Sequence, residues 1–327
     1  MKKALFRKIS ISLTILIIGI ICFSFFKLIS WYVNSSRKID DTDTEAIVKY
    51  HILVAGSSEN ETFIRQVYSG AAQRATSYSA AVQLYIPQNS FGETTVQDIF
   101  DYASFLEPDG IIICFDDIPK NALTPCYKDG SNIPVITTGQ YYSDWPQVSF
   151  IGVNYSELGN VFAQEIISSL KSDDDSVLLI DSSNTNDANY SVLMNTLMNT
   201  LTEKKVNVQS LSFSPESTFS IEDDIRQSIA SANETNLIVS VTEATTVHAA
   251  QSIIDLNLAN KTKLIGYSGA DNSRLYYNKG ILTTMISIDS EEIGRKAVNE
   301  LFEYITFGSA NGYVNADIQI RRQSKRK

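Results

Sequence analysis

The feature that most constrains this chain is a rhythm. Short runs apolar on both faces alternate with stretches whose apolar residues fall at helical spacing, and the whole pattern occurs twice. The first series begins with "YHILVAG" at 50–56, after which Phe63, Val67, Gly70, Ala71 and Ala75 mark one face of a helix. "AAVQLYI" follows, then the helical "VQDIFDYASFL" with Ile99, Ala103 and Leu106 on one stripe, then "PDGIIICFDD" and "IPVITTG". The second series runs "SVLLIDS", "YSVLMNTLMNTL", "VNVQSLSF", "IEDDIRQSIASA", "NLIVSVT", "ATTVHAAQSIIDL" and "TKLIGYS". Strands without a wet face, separated by amphipathic helices, belong to a parallel sheet covered on both sides. Two such series predict an α/β protein of two doubly wound lobes. A chain of 327 residues, 43% of them hydrophobic, is long enough to bury both cores.

Ahead of this pattern, Ile9 to Phe26 carries no charge and reads "ISISLTILIIGIICFSFF". About 18–20 apolar residues cross the hydrocarbon layer, whereas a cleaved signal has a shorter apolar core and small residues at its exit. Here Trp31 and Tyr32 stand at the exit, as interfacial aromatics do, and Lys2, Lys3, Arg7 and Lys8 precede the segment. The sequence therefore predicts a cytoplasmic stub and transmembrane helix over 1–33 and a polar linker over 34–46. The rest of the chain is expected on the extracytoplasmic side of the cell membrane. The formal net charge is −10 although the N-terminus is basic, so nucleic acid is a poor partner for the exported part. The closing "RRQSKRK" reads as a solvated basic tail over 321–327.

Several chemistries lack their residues. "AGSSENE" misses the second glycine of a nucleophile elbow, and His51 and His248 are the only histidines. His51 precedes the strand that leads into Ser57 and Ser58, and His248 lies inside a helical pattern. An extracytoplasmic hydrolase using either serine is thus the least favoured reading, and no catalytic residue is assigned. Two distant histidines and three scattered cysteines form no metal motif, and no phosphate-binding glycine pattern follows a strand. No metal or cofactor is expected. Cys114 ends an apolar run, which argues against a bridge to Cys126.

What does collect at strand ends is polar and aromatic. In the first series these are Ser57, Glu59, Asn60 and Phe63, then Asp116 and Asp117, then Gln140, Tyr141 and Tyr142; in the second they are Asn184, Asn189, Tyr190, Thr242, Glu243 and Ser268. Open α/β sheets bind ligands beyond the carboxyl ends of their strands. Planar hydrogen-bonding side chains with aromatic faces suit a small polyol.

The order of the pieces resembles the type I periplasmic solute-binding family, in its ribose- and xylose-binding branch. The residues that carry the likeness are "PDGIII" (108–113), "IPVITTG" (133–139), "FIGVNYSELGNVFAQEI" (150–166), "LIGYSGAD" (264–271) and "KGILTTMISIDSEEIGRKAVNELF" (279–302). The resemblance covers about Val48 to Asp317. It implies two lobes joined by three hinge crossovers at about 153, 285 and 308, with an N-lobe of 47–153 plus 286–308 and a C-lobe of 154–285 plus 309–320. It also implies a sugar or sugar-like ligand enclosed by lobe closure, with Ser58, Asn60, Phe63 and Asp116 contributing from the N-lobe. Asp289, in the last link, is a further candidate. The chain departs from the family where Thr242-Glu243 replaces Asn-Asp, where Gly266-Tyr267-Ser268 replaces Gly-Phe-Asp, and where 182–189 lacks an arginine. An anchored member of this family resembles the sugar-binding partners of histidine kinases, so a kinase sensor domain is the expected protein partner. The permease of an ABC importer is the alternative.

Overall fold

A computed structural model of the chain describes residues 27, 48–87, 95–115, 118, 121–139, 141, 145–172, 175–182, 188–213, 218–232, 236–259, 261–269 and 271–323. The expected transmembrane segment and linker lie outside the described residues, as do Asp116, Asp117 and Gln140. Among the described residues no helix is long and apolar enough to cross a membrane.

Strand β1 (Tyr50–Gly56) is followed by α1 (Glu61–Ala75), β2 (Ala80–Tyr85), α2 (Val96–Leu106), β3 (Gly110–Phe115), β4 (Val135–Gly139) and β5 (Ser149–Gly152). These strands form a parallel sheet in the order β2-β1-β3-β4-β5. Consecutive Ile111, Ile112 and Ile113 are all fully buried, so β3 is covered on both faces. Each such side chain contributes about 1.5–3 kcal/mol by leaving water. One face meets α2, through Ile99, Phe100 and Ala103, while the other meets α1, through Ile64, Val67 and Ala71.

The second lobe repeats the plan. Helix α3 (Tyr155–Ser169) leads to β6 (Ser176–Ser182), α4 (Ala188–Glu203), β7 (Asn207–Phe213), α5 (Thr218–Ser231), β8 (Leu237–Ser240), α6 (Glu243–Asp255), β9 (Lys263–Ser268), α7 (Asp271–Asn278) and β10 (Thr284–Ile288). Its strand order, β7-β6-β8-β9-β10, matches that of the first sheet. Helices α3 and α4 cover one face, and α5 and α6 the other.

Three segments cross between the lobes, and two of them lie further along the chain than the sequence predicted. The first passes at Val153–Asn154, between β5 and α3. The second was expected at about 285, but Thr284–Ile288 pairs with β9 and completes the C-lobe sheet, so the crossing falls at Asp289. Helix α8 (Ser290–Phe307) then packs on α1 in the N-lobe core. The third was expected at about 308. Instead β11 (Tyr313–Asn315) joins the N-lobe sheet beside β5, and the chain crosses at Ala316–Asp317 before β12 (Ile318–Arg322) pairs antiparallel with β10. Gly308, left-handed at φ 75°, ends α8 and reverses the chain so that β11 can reach that edge.

Strand β12 also corrects the reading of the basic tail, because Arg321 and Arg322 are paired strand residues. Edge strands tolerate charge. Arg322 holds both carboxylate oxygens of Glu165 on α3, a side chain 6% exposed. Arg322→Ala would leave that carboxylate buried without its cation. It is expected to cost about 1–2 kcal/mol in urea unfolding, below the usual figure for a buried pair because the arginine is itself largely exposed.

Candidate ligand cleft

Both sheets end toward the crossings, and the turns that follow their strands line one cavity. Asn60, Phe63, Phe115, Gly139 and Ser290 approach from the N-lobe, and Tyr267 and Gly269 from the other side, with Val153, Tyr155 and Ile288 at the hinge. Its volume is about 200 Å³. That lies below the roughly 300–1,000 Å³ of sites for drug-sized molecules. The cavity suits one small ring.

The N-lobe lip is built by the end of β1. After Gly56 the chain turns through Ser58–Asn60 in a 3-10 turn, with the Asn60 N–H donating to the Ser57 carbonyl at 3.2 Å. Asn60 stands at the N-cap of α1 but makes no side-chain cap bond, and it faces the cavity with Phe63 one helical turn on. Ser57 and the exposed Ser58 sit on the rim, outside the cavity lining.

On the C-lobe side, three expected contact residues are occupied in holding the lobe together. Thr242 caps α6, its hydroxyl accepting from the Thr245 N–H at 3.3 Å. The Glu243 carboxylate accepts from the Gly269 N–H at 2.6 Å, the Ser273 N–H at 3.0 Å and the Ser273 hydroxyl at 3.0 Å, so it fastens the turn between β9 and α7. The Ser268 hydroxyl, 6% exposed, is hydrogen-bonded to the fully buried Ser273 hydroxyl at 2.7 Å, and because the single Ser273 proton goes to Glu243, Ser268 is the donor. Hydrogen bonds to a charged group contribute roughly 1.5–3 kcal/mol. Glu243→Ala is therefore expected to lower stability by about 2 kcal/mol in urea unfolding, with Glu243→Gln losing less.

Successive strand residues face opposite ways. With Ser268 turned into the lobe, Tyr267 faces the cleft, packed among the apolar side chains of the C-lobe core. Burial pushes its phenol well above the usual range, and the nearby Tyr155 and Glu243 push it the same way. Tyr267 therefore enters the cleft as a neutral group able to donate and accept. Asn189 lines an adjoining recess, and Tyr190 packs against the C-lobe core next to it.

Asp289 is a hinge clip. Its carboxylate caps α8 by accepting from the Glu292 N–H at 3.0 Å and accepts from the Gln319 amide at 2.5 Å, while its own N–H donates to the Asp317 carbonyl at 2.9 Å. It borders a separate polar recess of about 270 Å³, shared with Ser268, Arg274 and Arg321.

The arrangement lacks hydrolytic geometry among the described residues. His51 lies near the start of β1 and Ser57 directly follows that strand, six residues on, which at about 3.3 Å per residue separates them by roughly 20 Å. The His51 N–H meets the Asp109 carboxylate at 2.6 Å, at the strand end remote from the cleft. No cluster of three or more histidine, cysteine or acidic side chains that could hold a metal occurs among the described residues. Cys114 is buried, and Cys126 is a free thiol.

A family model for the periplasmic binding protein domain matches residues 52–309. The chain belongs to the periplasmic binding protein family. Among solved structures it is similar to a periplasmic ribose ABC transporter protein from Conexibacter woesei, at 17% identity and a TM-score of 0.69 over 85% of this chain and 93% of that one. It is also similar to XylFII in its complex with LytSN, at 19% and 0.60 over 84% and 98%. A third is GanP, a glucose-galactose binding protein from Geobacillus stearothermophilus, at 19% and 0.62 over 84% and 97%. No curated protein sequence matches it significantly.

In this periplasmic binding protein the two tyrosines of the cleft, Tyr155 and Tyr267, were not among the residues the sequence singled out. Tyr155 opens α3 directly after a crossing, and Tyr267 is the middle residue of "GYS". Strand alternation applied to that tripeptide would have picked Tyr267 over Ser268.

Proposed function

We propose that this chain is a membrane-anchored, extracytoplasmic solute-binding protein, without enzymatic activity, that encloses a sugar or sugar-like molecule between its lobes. It signals that ligand to a histidine-kinase sensor domain. The observation that carries the reading is the cleft itself, a ring-sized cavity at the carboxyl ends of two matching sheets, walled by Phe63, Phe115, Tyr155 and Tyr267. Aromatic faces suit the C–H surface of a sugar, and the phenols and Asn60 suit its hydroxyls. Ligand acts by binding the closed state more tightly than the open one.

The anchor rests on the uncharged segment from Ile9 to Phe26. The sensory role is favoured by that anchor and by the likeness to a binding protein in complex with a second protein, XylFII with LytSN. Delivery to an ABC permease is the second reading, favoured by the likeness to the ribose ABC transporter protein. A kinase gene or a permease gene beside this one separates the two.

A thermal-shift panel of pentoses, hexoses and polyols on residues 46–327 tests the ligand class. A ligand at 100 times its dissociation constant adds about 2.7 kcal/mol. A clear rise in Tm with at least one sugar is expected. A flat panel would remove the sugar reading and leave a module that binds protein alone.

A further inference from the structure

Beside the ring-sized cavity lies a second, more open recess, and Gly139, Val153 and Tyr155 line both. The volume of the second recess is about 670 Å³, more than three times that of the cleft, at about 200 Å³. Three aromatic rings form its N-lobe wall. Phe150 on β5 lies between Tyr141 and Tyr313, with centroids 5.6 Å and 5.7 Å away, and the rings are tilted by 56° and 41°, so the wall curves. Tyr141 and Tyr313 are 54% and 48% exposed, and large aromatic side chains so exposed side by side are costly to leave against water. Asn154, Ser156 and Asn189 stand among the other lining residues, and none of the described lining residues is charged.

Resting on the sugar-binding reading above, we infer that the ligand is a neutral saccharide of at least two rings. One ring lies in the cleft beside Tyr267, and the next lies past Tyr155 on the wall of Tyr141, Phe150 and Tyr313. No cation stands among the described lining residues, and the Glu157 carboxylate acts on Tyr313, which disfavours sugar acids and phosphates, whose charge would lose water without a partner. Aromatic faces flanked by amide and hydroxyl groups fit a ring that is apolar on its faces and polar at its edge. The two recesses adjoin at Gly139, Val153 and Tyr155, which brings neighbouring rings within reach of a glycosidic link.

Isothermal titration with matched pairs tests this, using xylose with xylobiose, glucose with cellobiose and maltose, and galactose with β-1,4-galactobiose. At least one disaccharide is expected to bind about tenfold or more tightly than its monosaccharide. In Tyr313→Ala and Tyr141→Ala that ratio is expected to fall toward one. A monosaccharide binding as tightly as its disaccharides, or a ratio unchanged in both variants, would overturn the second subsite and leave the sugar reading standing. Binding of no saccharide of either length would overturn both.

Discussion

Tyr267→Ala is expected to weaken sugar binding by roughly 10- to 100-fold. The side chain supplies an aromatic face, which contributes about 0.5–1.5 kcal/mol beyond its buried area, and a neutral hydroxyl, which contributes about 1 kcal/mol. Each 1.4 kcal/mol is about tenfold in affinity. Tyr267→Phe keeps the face and is expected to lose only about fivefold. Because Tyr267 also packs on the C-lobe core, the alanine variant will unfold at a lower temperature without ligand. The calorimetric dissociation constant, measured well below both melting temperatures, separates the two effects. Equal affinities for the wild type and the alanine variant would place the ligand elsewhere.

The second large effect concerns the return of the chain to the N-lobe. Helices α1 and α8 approach so closely that a Cβ on Gly70 would sit 1.8 Å from the Glu291 carbonyl oxygen, and one on Gly294 would sit 2.0 Å from that of Val67. Real carbon atoms do not come that near backbone oxygen, and neither helix can yield without opening the core formed by Val67, Ala71, Ile293 and Ala297. In an exposed helix interior, glycine to alanine stabilises by up to about 1 kcal/mol. Here the sign reverses. Gly294→Ala is expected to destabilise by about 2 kcal/mol, and Gly294→Leu by about 3 kcal/mol or more, in urea unfolding. A stabilised Gly294→Ala would mean that the two helices are further apart.

The parts of the fold that the sequence reveals are those where one residue type has one use. "GIIICF" has no wet face and is buried on both sides, and the matching rhythm of the two series corresponds to two sheets of one strand order. The site was half visible for the same reason. Asn60 and Phe63 follow a strand directly and face the cavity, but acids and hydroxyls at strand ends have two uses, capping and ligand contact. Glu243 serves backbone N–H groups that lie 26 and 30 residues away in sequence, and Asp289 clips the hinge to Gln319 across 30 residues. Local pattern does not contain such partners. The crossings at Asp289 and Ala316–Asp317 were displaced for a related reason, since strand pairing at a sheet edge depends on which neighbour the returning chain meets.

Closure of the lobes on a ligand shortens the distance between them, and that distance is measurable. Exposed Thr62, on the N-lobe lip, and exposed Asn272, at the start of α7, lie on opposite sides of the cleft. With spin labels at Thr62→Cys and Asn272→Cys, pulsed dipolar spectroscopy is run with and without whichever saccharide raises the Tm. The distance distribution is expected to narrow and shorten by several ångströms when that saccharide is added. An unchanged distribution at saturating saccharide would contradict closure of the lobes on a ligand.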